Sequence, residues 1–441
     1  MSASLENLLR DARTDLVLSR IEKDPSIIDE IIGHLGNEIR SIKFNSIFVL
    51  GELGQKSVNA ISKIISCLED DDWSICREAA IALGKIGNPS DKSITSLINA
   101  LNDKQVEVRT EVAKALGEIG PDAYNAIPSL MKSLKDVSWT VRTASAQSIS
   151  LIGREITTAI PSLINALEDK DWRVRYRVVN TLAAMGEDAI PSLLKILNHK
   201  NPIVRKEAIE VLGEMRSGDP IIIEKLSLLL KDKAEAVRGK AADALRNIGK
   251  EAIPTLIKAI GASNKKMKII LISAIGGIGT DAKEAIPAMC NILNSKDQDK
   301  QYSPSLSNRI KKTILTFLKE PLSKKASIRA EAARALGSIT FDSEDSIIAL
   351  KKALNDPKNI VKREVALSLG KLGSSSILAV PALIDSLSDK NPDVRWRSSE
   401  ALGLIGVNTE DVTSNLNTLI HDKCDYVCES AINALDSLTE E

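Results

Sequence analysis

The sequence predicts an all-α protein of the α-solenoid class, a superhelix of about twelve helical hairpins. Three observations carry this. A glycine-punctuated echo returns every 33 residues, as Leu50-Gly51-Glu52-Leu53-Gly54, Leu83-Gly84-Lys85-Ile86-Gly87 and Leu116-Gly117-Glu118-Ile119-Gly120, and it is still legible at Leu402-Gly403-Leu404-Ile405-Gly406. An apolar residue followed by a basic one opens a helical run ahead of each echo. An Asp stands six residues before that basic residue in most units. A fixed period of this length means stacked supersecondary units, each burying its apolar face on its neighbours, so the core grows lengthwise.

The unit spanning Ala126 to Gly153 shows why each element forms. Ala126-Ile127-Pro128-Ser129-Leu130-Met131-Lys132-Ser133-Leu134 has helical periodicity, and Pro128 suits a first turn, where its missing N–H costs nothing. Asp136 ends this first helix. Val141 to Ile149 predicts a second helix closing near Gly153, and Ala144, Ser145, Ala146 and Ser148 are small enough to admit a neighbouring helix. Twelve such second helices begin at steps from Ile42-Lys43 to Val427-Cys428; the first residue is always apolar and the next is basic except at Cys76 and Cys428. The paired Asp and basic residues, namely Asp103 and Arg109, Asp136 and Arg142, Asp169 and Arg175, Asp232 and Arg238, and Asp389 and Arg395, read as a structural ladder of charge-assisted hydrogen bonds that interlocks units.

These residues resemble the HEAT repeat. The Asp-x5-Arg spacing, the Ala-Ile-Pro-Ser-Leu first helix and the Ala-x-Ala-Leu-Gly-x-Ile-Gly second helix look most like its short, regular subtype, the phycobilisome-lyase-like repeat. The resemblance covers roughly residues 25 to 440 and implies an array whose second helices line a concave face. The expected organisation is an N-terminal capping helix at 1–22, an array at 23–294, an insertion with a loop and an extra helix at 295–326, and further array with a C-terminal cap at 327–441. The insertion stands out because Gly276 and Gly337 are 61 residues apart and the stretch between them holds a polar run followed by an amphipathic one, Leu306 to Leu318.

Composition narrows the function. Lys plus Arg and Asp plus Glu are equal at 59 each, which argues against a nucleic-acid-coating protein. The opening residues show no basic and apolar leader pattern, and no apolar run is long enough to span a bilayer. Five cysteines in no disulfide-framework spacing fit a reduced compartment, so a cytoplasmic location is expected.

No catalytic set, cofactor site or metal site is expected. His34, His199 and His421 are each more than a hundred residues apart and lack the His-Glu steps of iron-binding HEAT hydroxylases. His421, Cys424 and Cys428 offer one ligand fewer than zinc prefers. Trp73, Trp139 and Trp172 share a position three residues before the basic site and are expected to pack at the entry turn. One residue after the basic site, Phe44, Tyr176 and Trp396 share a register with Arg77, Lys206 and Arg363, with Arg177 and Arg397 beside them. Aromatic and arginine side chains together make binding hot spots, so these eight residues are the candidate partner-binding set. Glu78, Glu111, Glu207, Glu331 and Glu364 lie in the same face and read as solvated dilution of it.

The leading expectation is a non-catalytic scaffold or adaptor that binds a protein along the concave face. The resemblance also implies a bilin lyase or chromophore chaperone as the alternative, the activity to expect were the chain an enzyme. Aromatics make up only 3% of the residues, against the aromatic clusters that resemblance implies. A HEAT-like DNA-repair protein is a third class, and the balanced charge weighs against it.

Overall fold

In a computed structural model, residues 4–87, 90–153, 157–295, 327–339 and 343–439 are described. Their regular structure is helical, an α-solenoid of paired antiparallel helices. The chain divides into two compact units, Met1–Met215 and Arg216–Glu441. Among the described residues each unit holds six hairpins. The second helices are labelled α1 to α12. In the first unit they are α1 Arg40–Glu52, α2 Trp73–Ile86, α3 Val106–Ile119, α4 Trp139–Ile152, α5 Trp172–Met185 and α6 Pro202–Met215. In the second they are α7 Glu235–Ile248, α8 Lys265–Ile278, α9 Ile328–Ile339, α10 Asn359–Lys371, α11 Pro392–Ile405 and α12 Asp425–Thr439.

Sequence chemistry sets the helix ends. Pro128, Pro161, Pro191, Pro254, Pro287 and Pro381 sit in the first turn of their short first helices, where no N–H is needed. Five second helices, α2, α4, α5, α8 and α11, are capped by a side chain, as when Asp171 accepts from the Arg173 N–H at 2.9 Å, whereas α1, α3, α7 and α10 have no side-chain cap. The apolar residue that opens each second-helix step is buried in every hairpin but one: Val108, Val141, Val174, Val237, Val361, Val394 and Val427 are all closed to solvent. Ile328, directly after the undescribed segment, is half-buried.

The two glycines of the echo serve different ends. The first lies where consecutive second helices cross. A Cβ on Gly117 would stand 2.9 Å from the Ser148 Cα, and one on Gly84 3.0 Å from the Ala115 Cα, closer than packed atoms normally approach. Small residues opposite complete the contact, and the Ser148 hydroxyl donates to the Ala113 carbonyl at 2.6 Å. The second glycine ends the helix in the left-handed region, at φ 63° for Gly87. A 33-residue rhythm therefore encodes one close helix crossing and one helix stop per unit.

Two features differ from the sequence expectation. Residues 5–23 form two short helices, Leu5–Arg10 and Thr14–Lys23, with Ala12 between them at φ 55°. The 61-residue interval contains a complete hairpin: helix Ile286–Leu293 packs against α9, and a Cβ on Gly276 of α8 would meet the Ala335 Cα of α9 at 3.0 Å. The crossing between α8 and α9 thus has the regular geometry, and the extra residues fall, in sequence, between the two helices of the ninth hairpin. The insertion expected at 295–326, with its extra helix, otherwise lies outside the described residues.

Candidate partner-binding face

The ladder fixes the second helices. Arg109 donates through Nε and Nη2 to both carboxylate oxygens of Asp136, at 2.8 and 3.0 Å, and through Nη1 to the Asp103 carbonyl of its own turn at 2.8 Å. Arg142 does the same with Asp169 at 2.5 and 2.8 Å and with the Asp136 carbonyl at 2.9 Å. Arg395 holds Asp422 at 2.7 Å twice, and Arg329 holds Asp356 at 2.7 and 3.0 Å. Lys362 reaches Asp389 at 2.7 Å, and Lys43 pairs with Asp70. Asp is the right carboxylate because its other task is local: Asp136 accepts the Ser138 N–H at 2.8 Å, closing the turn two residues on.

Departures in the ladder have visible causes. Arg175 finds His199 where the next Asp would be, and turns to Glu207 at 3.1 Å. Arg238 donates to the Asp232 carbonyl at 2.7 Å, while the following turn offers Ala262 in place of a carboxylate. Cys76 and Cys428 replace the cation, and their thiols donate to the same turn carbonyls, Asp70 and Asp422, at 3.0 and 3.1 Å. Burial, with nearby Asp103 adding to it, pushes the Cys76 thiol up to about 11. Asp103 itself accepts the Gln105 N–H at 2.7 Å.

Electrostatics around the ladder favours its charged form. The Arg395 hydrogen bonds, with the Cys424 N–H, hold the Asp422 carboxyl below its ordinary 3.8. At Asp136 burial pushes upward, but the Arg109 hydrogen bonds, the Ser138 N–H and the Arg142 charge outweigh it and the net shift is downward.

In the first unit, Phe44 on α1 is half-buried. Arg77 on α2 is half-buried too, with its guanidinium 5.8 Å from the Trp73 ring centroid and 3.8 Å from Glu78. Tyr176 on α5 is 57% exposed, and Arg177 beside it is half-buried. Lys206 on α6 lies 3.3 Å from Glu207, so that carboxylate is shared with Arg175. In the second unit, Arg363 on α10 lies between Glu364 at 3.5 Å and Asp393 at 3.7 Å. Arg397 stacks on Trp396, 3.8 Å from the ring centroid, and pairs with Glu400 at 2.5 Å. The structure therefore brings Arg397 onto Trp396 in the second unit, whereas Tyr176 and Arg177 are chain neighbours on α5, and Phe44, Arg77 and Lys206 stand on separate helices.

Sequence reasoning passed over several residues here. Tyr426 on α12 meets Trp396 edge-on, with ring centroids 5.6 Å apart, and these rings border a cleft of about 350 Å³. A second cleft of about 350 Å³ runs along α7 to α10, between Arg246, Ile269, Ile270, Glu331, Arg334 and Arg363. The register one residue after the basic site, read across all second helices and not only for aromatics and cations, points to Ile269 but not to Arg334, one helical turn beyond that register, nor to Tyr426, which precedes the Val427-Cys428 step.

Two expectations are corrected. Glu78, Glu207, Glu331 and Glu364 are buried, not solvated. Their register faces the adjoining second helix, where Arg175 reaches Glu207 and Arg334 reaches Glu364 at 3.2 Å. Burial pushes the Glu78 carboxyl above its ordinary value. Trp73, Trp139 and Trp172 are exposed first residues of α2, α4 and α5 rather than packed entry staples. Trp139 carries the Arg173 guanidinium 3.5 Å above its ring.

Comparison with known proteins agrees with the architecture. The family model described as HEAT repeats matches residues 61–150, 127–213, 160–246, 223–301 and 313–380. No curated protein matches. Among solved structures, Kap121p bound to RanGTP is similar at a TM-score of 0.56 and 14% identity, over 95% of this chain and 49% of that one. Kap121p bound to Ste12p matches at 0.53 and 14% identity, over 99% of this chain and 58% of that one. Kap121p alone matches at 0.54 and 14% identity, over 100% and 48%. The chain spans about half the length of these proteins, and at such identity the likeness is one of fold.

Proposed function

Because the chain belongs to the HEAT-repeat family, we propose that it is a non-catalytic scaffold that holds a protein partner against its second-helix face. The observation that carries this reading is the grouping of solvent-reaching aromatic and arginine side chains on helices locked by the ladder, Tyr176 with Arg177 and Trp396 with Arg397 and Tyr426. Rigid helices lower the ordering cost of binding, and Trp, Tyr and Arg supply the most energy per residue at interfaces. Kap121p, a protein of similar fold, has been crystallised with RanGTP and with Ste12p, which is consistent with partner binding by such arrays.

No helix among the described residues is long and apolar enough to cross a membrane. All five cysteines are free thiols, which suits a cytoplasmic, reducing setting. A bilin lyase of the short-repeat subtype remains the second reading, and it rests on repeat resemblance alone.

The test is affinity capture with the wild type and with a Phe44→Ala/Tyr176→Ala/Trp396→Ala variant of unchanged helicity. A protein retained by the first and lost by the second supports the scaffold. Equal retention by both removes these aromatics from the interface. A coloured tetrapyrrole in the eluate moves the reading to the lyase.

A further inference from the structure

The scaffold reading leaves open what chemistry a partner must present, and α4, α5 and α6 of the first unit address it. In a chain of zero net charge, α4 and α5 carry Arg142, Arg173, Arg175 and Arg177 and no Asp or Glu at all. Three of these arginines are engaged internally. Arg142 holds Asp169, Arg175 holds Glu207, and Arg173 holds Asp171 at 2.7 Å while stacking on Trp139. Arg177 is different. Among the described residues its guanidinium makes no hydrogen bond and no ion pair, and its Nε is closed to solvent without an acceptor.

The Nη groups of this half-buried guanidinium are not closed to solvent, so a carboxylate arriving from outside can pair with them and supply the charge partner that the fold does not. The surroundings suit a peptide. Trp172 and Tyr176 lie one helical turn apart on α5, 65% and 57% exposed, and Ile203 on α6 is 44% exposed. Arg173 and Arg177 form the neighbouring row of the same helix. An aromatic row thus runs beside a cationic row whose far end alone is unpaired.

We propose that this surface anchors an acidic peptide segment of a protein partner: one Asp or Glu carboxylate pairs with Arg177, and an adjacent apolar side chain packs on Trp172 and Tyr176. The proposal rests on the scaffold reading and adds the partner's chemistry to it. A nucleic acid fits less well, because tracking a phosphate backbone needs a row of available cations and only one of the four here is unengaged. The Trp139 ring, which a base would otherwise use, is already covered by Arg173.

The test is selection of short random displayed peptides on the purified full chain, followed by anisotropy titration of the enriched sequences. Binding is compared for wild type, Arg177→Met, Arg177→Glu and Tyr176→Ala, each checked for unchanged helicity. The proposal expects an Asp- or Glu-containing apolar consensus whose affinity falls about tenfold or more with Arg177→Met, the loss of one charge-assisted pair. It also expects Arg177→Glu to recover binding when Lys replaces the peptide's acidic residue. Enriched peptides without acidic residues, yet lost with Tyr176→Ala, overturn this proposal and leave the scaffold standing. Peptides indifferent to every second-helix variant, or no enrichment, count against both. Oligothymidylate binding that is lost with Arg177→Met overturns the peptide in favour of nucleic acid.

Discussion

The side chain of Arg142 reaches two turns at once, donating to the Asp136 carbonyl behind it and to both oxygens of Asp169 ahead. Such an arginine ties one hairpin to the next and closes its own turn, so it acts at the interface between neighbours through which a stack of repeats is held together. Removing it strands Asp169 in a largely buried place. Arg142→Ala should cost about 3 kcal/mol, within the range for breaking a buried pair. Hydrogen exchange should show the loss concentrated in the fourth and fifth hairpins, since repeats open locally. Asp422, Asp389 and Asp136 are all held below their ordinary 3.8, so the unfolded chain binds more protons than the folded one as acid is added. Their contribution is therefore complete at neutral pH and is lost as pH falls below about 4 and through the depressed folded values. Acid titration of wild type and of Asp422→Asn should show a smaller acid-induced loss for the variant, whose pair is already neutralised on one side.

At the scale of the element, each hairpin was largely readable from residue types, because every repeated residue has a local and stereochemical task. Pro128 opens a helix, Asp136 closes a turn, Gly117 admits a neighbour and Gly120 ends a helix at φ 74°. What escaped the sequence depends on which side of a helix a neighbour covers. Glu207 is polar and reads as surface, yet the adjoining helix buries it and Arg175 supplies its charge partner. Trp172 is apolar and reads as packed, yet as the first residue of α5 it projects into solvent. The second helix of the ninth hairpin is counted in the sequence from its Ile328-Arg329 step, but its partner is not: the two helices are separated in sequence by residues 294–327, and only their contact shows them to be one unit. Replacing residues 296–326 with a short regular turn should leave the helicity of α8 to α10 intact and change stability by about 1 kcal/mol or less, since loop closure depends weakly on length. Circular dichroism and denaturant titration would measure this, and loss of α9 would show the insertion to be part of the fold.

On the scale of the whole molecule, what matters is how the repeated face is partitioned between structure and binding. Ladder charges are consumed by stacking, and so are the glutamates that face the next helix. Side chains left to meet a partner are those outside both sets, chiefly Tyr176, Arg177 and Trp172 in one unit and Trp396 with Tyr426 in the other. The most direct measurement is site-specific photo-cross-linking in cells, with the photoreactive residue placed at Tyr176 or Trp396 on second helices, or at Leu228 or Ile348, which are exposed on first helices. The account predicts a discrete protein adduct from Tyr176 or Trp396 and none from Leu228 or Ile348. Adducts formed only from the first-helix positions would place the partner on the opposite side of the hairpins and contradict it.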